Sequence, residues 1–190
     1  MNMQGKSAMD VLLAESFKEL VQKRPIDKIT IKEITDKAGV IRPTFYNHFQ
    51  DKYELLEYII SVQLLQPTEP LLENGMVKEA LTLLFTNLEK EKEFYIQASK
   101  LEGQNSFGLI ARECVKRIFL MILKKNKPHE IMEKFSWLTP ERVAEYYSMS
   151  MCSVAIAWIQ SGMTVPPKEM SQICLYLMKH SVDEILYGDV

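Results

Sequence analysis

The chain is poor in cysteine, in glycine and in any excess of one charge, and it has no long apolar run. Its three cysteines, Cys114, Cys152 and Cys174, are odd in number, widely spaced and free of any CxxC pair. That pattern argues against a disulfide framework or a zinc ribbon and suits buried thiols in a reducing compartment. No glycine-rich loop is present to cradle a phosphate, and neither HExxH nor GxSxG occurs. The three histidines, His48, His129 and His180, lie far apart, and no spacing asks for a metal. His129 follows Pro128 in a basic stretch from Lys124 and reads as a surface group. No catalytic residue, resident metal or cofactor is therefore expected. The net charge of -2 and pI near 6.0 exclude a polycation, so nucleic-acid binding must come from a local patch. There is no apolar N-terminal signal region, and no run approaches the roughly 20 residues that cross a bilayer. The sequence reads as that of a soluble cytoplasmic protein.

What the chain does have is helix-forming periodicity almost throughout. Val11, Leu12, Phe17, Leu20 and Val21 place a first helix over about 7–23, stopped before Pro25. Thr30 and Glu33 make a capping box for a helix that ends at Gly39. Pro43 suits the first turn of a third helix, reaching about Phe49. Asp51 and Glu54 open a fourth, which closes at Gln66-Pro67; a loop or hinge is expected from Pro67 to Gly75. Further helices follow near 77–88, 90–100, 106–125, 140–160 and 168–187, with Thr139 capping the one that starts at Pro140. No strand alternation or internal repeat appears. The fold class is all-α.

The stretch from Ile29 to Leu56, with a glycine turn between two short helices, has the grammar of a helix-turn-helix reading head. Phe45 and Phe49 lie four apart and share an inner face, so the other side presents polar groups. Arg42 can bond guanine edges, Asn47 adenine, and the Thr44 methyl suits thymine. Tyr46 and His48 are placed as phosphate or sugar ligands, and Pro43 lies on the same groove-facing end. Lys52 in the first turn of the next helix, and Thr30 with Lys32 at the start of the second, are candidate phosphate clamps. The alternative for any one of these residues is an ordinary solvated face.

The same residues carry a family resemblance. Thr30, Ile34, Ala38-Gly39-Val40, Thr44-Phe45-Tyr46, His48-Phe49, Lys52 and Leu55-Leu56 resemble the DNA-binding domain of TetR-type transcriptional regulators. The likeness is specific over about 11–56 and looser beyond. Two positions depart from it: Ile41 stands where a capping serine or asparagine is common, and Pro43 where glycine or a small residue is common. The resemblance implies an N-terminal three-helix DNA-binding domain over residues 1–56 and a helical effector-binding and dimerisation domain over 57–190.

The last two long helices are apolar nearly all round, which calls for burial on two sides. One side can meet the chain's own core and the other a second copy, with Met151, Val154, Trp158, Ile173, Leu177 and Ile185 as the expected dimer interface. A fully internal helix pair is the alternative. Between head and dimer helices, the resemblance implies a small-molecule pocket, lined on this reading by Phe85, Leu88, Tyr95, Phe107, Ile110, Cys114, Phe119, Met149 and Cys152. Polar Gln97, Asn105 and Ser148 lie near these faces, and no buried charge is evident, so an apolar or aromatic effector is expected. The implied function is a homodimeric repressor on a palindromic double-stranded operator, released by a small effector. The alternative is a binding module or co-activator whose C-terminal domain engages a partner protein.

Overall fold

The computed structural model describes residues 7–125 and 134–187, and every regular element among them is helical. Helix α1, Ala8–Val21, starts at Ser7, whose hydroxyl accepts from the Asp10 amide at 3.0 Å while the Asp10 carboxylate accepts from the Ser7 amide. Its inner face buries Leu13, Phe17 and Val21. After a 3-10 turn over Ile26–Lys28, Thr30 and Glu33 form the expected reciprocal cap of α2, Ile31–Ala38. Gly39 ends that helix at φ +68°, the left-handed conformation that an L side chain avoids.

Helix α3 spans Arg42–Tyr46 and is shorter than its periodicity suggested. The turn nevertheless carries on to Phe49, whose amide donates to the Phe45 carbonyl at 2.9 Å. Asp51 caps α4, Lys52–Tyr58, by accepting from the Tyr53 and Glu54 amides. The Glu54 carboxylate reaches back to the Gln50 amide, one residue earlier than a capping box requires. The run then widens into a π-helix over Ile59–Leu65 and tightens into a 3-10 turn, Gln66–Thr68.

The loop expected from Pro67 to Gly75 is itself largely helical. Pro70 lies in the first turn of α5, Glu69–Glu73, where a missing N–H leaves no intrahelical bond unmade. Gly75, at φ +72°, ends it. The boundary expected after Leu56 falls inside α4, which belongs to the head at one end and to the body at the other.

The body holds α6, Val77–Lys90; α7, Lys92–Ala98; α8, Phe107–Lys125; α9, Pro140–Gln160; α10, Pro167–Lys179; and α11, Val182–Tyr187. The most extensive packing is α8 on α9 and α6 on α10. Glu91 breaks α6 from α7, and the single last helix expected divides at His180 because Ser181 and Glu184 form a fresh cap. Gly162 and Met163 turn the chain with φ of +83° and +51°, and the Met163 amide donates to the Trp158 carbonyl at 2.9 Å. One contiguous apolar core runs from Leu13 and Phe17 in the head to Met170 and Cys174 in the body. The expected basic stretch beyond Lys125, with His129, lies outside the described residues.

Candidate nucleic-acid interface and effector cavity

The head stands on three fully buried side chains, Phe17, Ile34 and Phe45, one from each of its first three helices. Phe45 and Phe49 pack with ring centroids 5.9 Å apart, and Phe49 meets Tyr58 edge-on at 5.4 Å. With Phe45 turned inward, Arg42, Pro43, Tyr46 and Asn47 are exposed and Thr44 is half-buried. The Arg42 guanidinium donates to the Tyr46 hydroxyl at 3.3 Å and lies 6.0 Å from the centre of its ring. This one-turn pairing orients the guanidinium while leaving further N–H groups for a base edge or phosphate. Ile41, at the start of α3, is 69% exposed and supplies no side-chain cap.

The candidate backbone ligands are placed differently from one another. Lys32 is exposed. The Thr30 hydroxyl accepts from the Glu33 amide and donates to the Glu33 carboxylate at 2.8 Å, so its hydrogen is engaged inside the head. Arg24 also pairs with that carboxylate, and Arg24 first, then the Thr30 amide and hydroxyl, hold Glu33 down to a pKa of about 2. The His48 Nδ1 lies 2.7 Å from Asp10 Oδ1, tying the turn after α3 to α1.

Lys52 departs most from expectation. Its ammonium donates to the carbonyls of Ile26, Asp27 and Ile29 at 2.8, 2.9 and 2.8 Å. All three N–H groups are thereby engaged, and a direct phosphate contact would have to displace one of them. In this arrangement Lys52 closes the turn before α2, in place of the phosphate clamp read from its helix-start position. Burial also lowers its pKa from the usual lysine value. No sequence signal marked this role, because the partner atoms are backbone oxygens more than twenty residues away.

The body holds a half-open cavity of about 370 Å³. Leu65, Thr68 and Leu72 wall it below the head; Leu81 and Phe85 come from α6, Ile118 and Phe119 from α8, Tyr147, Met151 and Cys152 from α9, and Met178 from α10. Of the predicted lining, Phe85, Phe119 and Cys152 face it. The remainder sits elsewhere, each for a packing reason. Tyr95 is enclosed by Phe94 and Phe107, with ring centroids at 4.9 and 6.4 Å, and Leu88 is core. Ile110 packs on the core, and Cys114 takes an Arg117 N–H at 3.2 Å at the α4–α8 contact. Met149 is exposed on the outer side of α9, and Gln97, Asn105 and Ser148 are not in the wall.

The cations of α8 pair with carboxylates: Lys116 and Arg112 with Glu145, Arg117 with Glu57, Lys124 with Glu141 and Lys125 with Glu73. Burial pushes the Cys114 and Cys152 thiols up to about 12 and Cys174 to about 11, leaving them protonated and unreactive. No metal-binding cluster occurs among the described residues, and no described helix is long and apolar enough to cross a membrane.

The expected dimer residues divide in two. Trp158 is interior: its ring meets Phe85 edge-on at 5.2 Å and its indole N–H donates to the Val165 carbonyl at 2.9 Å. Met151 faces the cavity, and Val154 packs against the core. Those three turn inward because α9 rotates its large side chains onto α8, leaving Met149, Ser153 and Ala157, each one turn apart, on the outside. Ile173, Leu177 and Ile185 are exposed, as are Tyr176, Val182 and Leu186.

Comparison with known proteins matches both halves. The family described as bacterial regulatory proteins, tetR family, matches residues 17–59, and a transcriptional regulator C-terminal region matches residues 76–180. The HTH-type dhaKLM operon transcriptional activator DhaS of Lactococcus lactis subsp. lactis (strain IL1403) is 28% identical over 180 residues, 94% of this chain and 93% of that protein. Among solved structures, a dihydroxyacetone kinase operon activator DhaS superposes with a TM-score of 0.60 at 21% identity, covering 90% of this chain and 94% of that one. The fatty acid degradation regulator FadR from Bacillus halodurans gives a TM-score of 0.59 at 16% identity, covering 94% of this chain and 100% of that one. At these identities the structural likenesses speak to the fold.

Proposed function

The chain belongs to the TetR family of bacterial transcriptional regulators, and from that premise we propose a homodimeric repressor whose operator affinity is lowered by a small apolar effector. The observation that carries this reading is one helical run. It begins at Lys52 beneath the reading helix and reaches Leu65 and Thr68 in the cavity wall. A ligand that moves that wall changes the spacing of two heads in a dimer, and a palindromic site is read only at the matching spacing. The shift can be no larger than the effector's differential affinity for the two head spacings.

On this reading Arg42 and Asn47 are the principal base readers, with Thr44 beside them; Lys32 and Tyr46 position the backbone, with Thr30, Pro43 and His48 supporting the helices they stand on. The second copy docks on the exposed faces of α9 and α10, which carry Met149, Ser153 and Ala157 on one helix and Ile173 and Leu177 on the other. Small residues there let two helix pairs approach closely.

Selection of bound duplexes from a random pool tests the reading. A palindromic consensus is expected, and Arg42→Ala should lose about 1–3 kcal/mol on it while binding to unrelated DNA stays unchanged. Equal losses on all sequences would make Arg42 a phosphate contact, and no enriched sequence would overturn the operator reading. A second reading, activation, is favoured by the role of the Lactococcus relative as an operon activator. A reporter carrying the selected site distinguishes the two by whether deleting this protein raises or lowers expression.

A further inference from the structure

We infer that the cavity takes an uncharged, largely hydrocarbon ligand bearing one hydrogen-bond-accepting oxygen, and that the Tyr147 hydroxyl anchors that oxygen. The inference rests on the effector reading above and specifies what the effector is. Size comes from volume. An apolar cavity of about 150 Å³ holds a benzene ring, or about 25 Å³ per carbon. The 370 Å³ found here then accommodates roughly fifteen non-hydrogen atoms.

Chemistry comes from the wall. No charged side chain, amide or imidazole lines it. The only N–H or O–H donors of ordinary strength among the lining side chains are Thr68 and Tyr147, and the Thr68 hydroxyl already donates to the Leu65 carbonyl at 2.7 Å. Cys152 offers only a thiol, a weak donor, which burial keeps protonated. Tyr147 is different. Its ring is fixed by stacking on Phe119, centroids 5.8 Å apart, and by an edge contact with Tyr146 at 5.2 Å, and its half-buried side chain lines the cavity with a hydroxyl that bonds to no described residue. A held ring with a free hydroxyl on an otherwise apolar wall is a fixed single donor.

A carboxylate would fare badly there. Desolvating it in this wall carries a large penalty that only a paired cation offsets, and the cations on α8 around the cavity already face carboxylates. A ligand lacking oxygen would fill the volume but leave the hydroxyl without a partner.

The test uses the purified full chain and the fluorescence of N-phenyl-1-naphthylamine, a neutral apolar reporter, displaced at pH 8 by three probes of matched size: undecan-2-one, dodecane and decanoate. The ketone should displace the reporter best, the alkane about fivefold more weakly for want of one hydrogen bond, and decanoate at least a hundredfold more weakly. Tyr147→Phe, which keeps the stacked ring, should abolish the ketone's advantage and leave dodecane unchanged. Decanoate matching the ketone, a ketone advantage surviving Tyr147→Phe, or no displacement by any probe would each overturn the inference. Operator release is measured on the same samples. A ketone that binds without releasing DNA leaves the ligand class standing and removes effector control. Release by decanoate but not by the ketone does the reverse.

Discussion

Lys18 on α1 and Glu91 at the break between α6 and α7 are joined Nζ to Oε1 at 2.8 Å, and the lysine side chain is only 7% exposed. Glu15, one turn earlier, takes the same ammonium at 2.7 Å. The reading head is thus tethered to the body at the point where a cavity-wall helix ends.

Glu91→Gln should destabilise the protein by about 1 kcal/mol, because Lys18 keeps Glu15 and Glu91 is itself partly exposed. Urea unfolding measures this, and a cycle with Lys18→Met should show coupling between the two changes. Strict additivity would mean that the tether contributes nothing.

Lys52→Gln should cost roughly 1–2 kcal/mol of stability through lost charge-assisted bonds to three carbonyls. Its dependence of DNA affinity on salt should keep the wild-type slope. A slope reduced by about one, with stability unchanged, would return Lys52 to the phosphate-contact role.

Ile41→Ser should stabilise the head by about 0.5–1 kcal/mol. The backbone at this position is already extended, with φ -90° and ψ 154°, and a serine there can accept from an uncapped amide of α3. A raised urea midpoint checks it; a lowered one would mean that the Ile41 side chain packs more productively than its exposure indicates.

Acid should weaken the head through Glu33. Its folded-state pKa, about 2, lies below the ordinary value of 4.5, so its stabilisation is present above that ordinary value. It is lost as pH falls from about 4.5 towards 2. Glu33→Gln should flatten the fall in Tm over that window, and an unchanged profile would assign the acid sensitivity to other carboxylates.

Leu177→Glu on the exposed face of α10 should yield a folded monomer by light scattering with unchanged helicity. A dimer that persists would place the interface elsewhere. The same substitution at Trp158 should unfold the body, since that ring is packed on Phe85.

Local rules marked the caps at Thr30, Asp51 and Thr139, the Gly39 turn, and the inward Phe45 that leaves Arg42 and Asn47 outside. Each depends on atoms within about one helical turn, so amino-acid type and spacing decide it. What could not be read locally is how each helix is rotated about its axis. Helix α9 is apolar on more than one side, and periodicity cannot say which stripe turns inward. Packing against α8 and Phe85 brought Trp158 and Met151 into the interior and left Met149 outside. The same holds for Lys52, whose partners come from a distant turn, and for Cys114, placed at the α4–α8 contact and not in the cavity. Fold class and reading head follow from short-range chemistry; the cavity wall, the head-to-body tether and the free outer face follow from which helices meet.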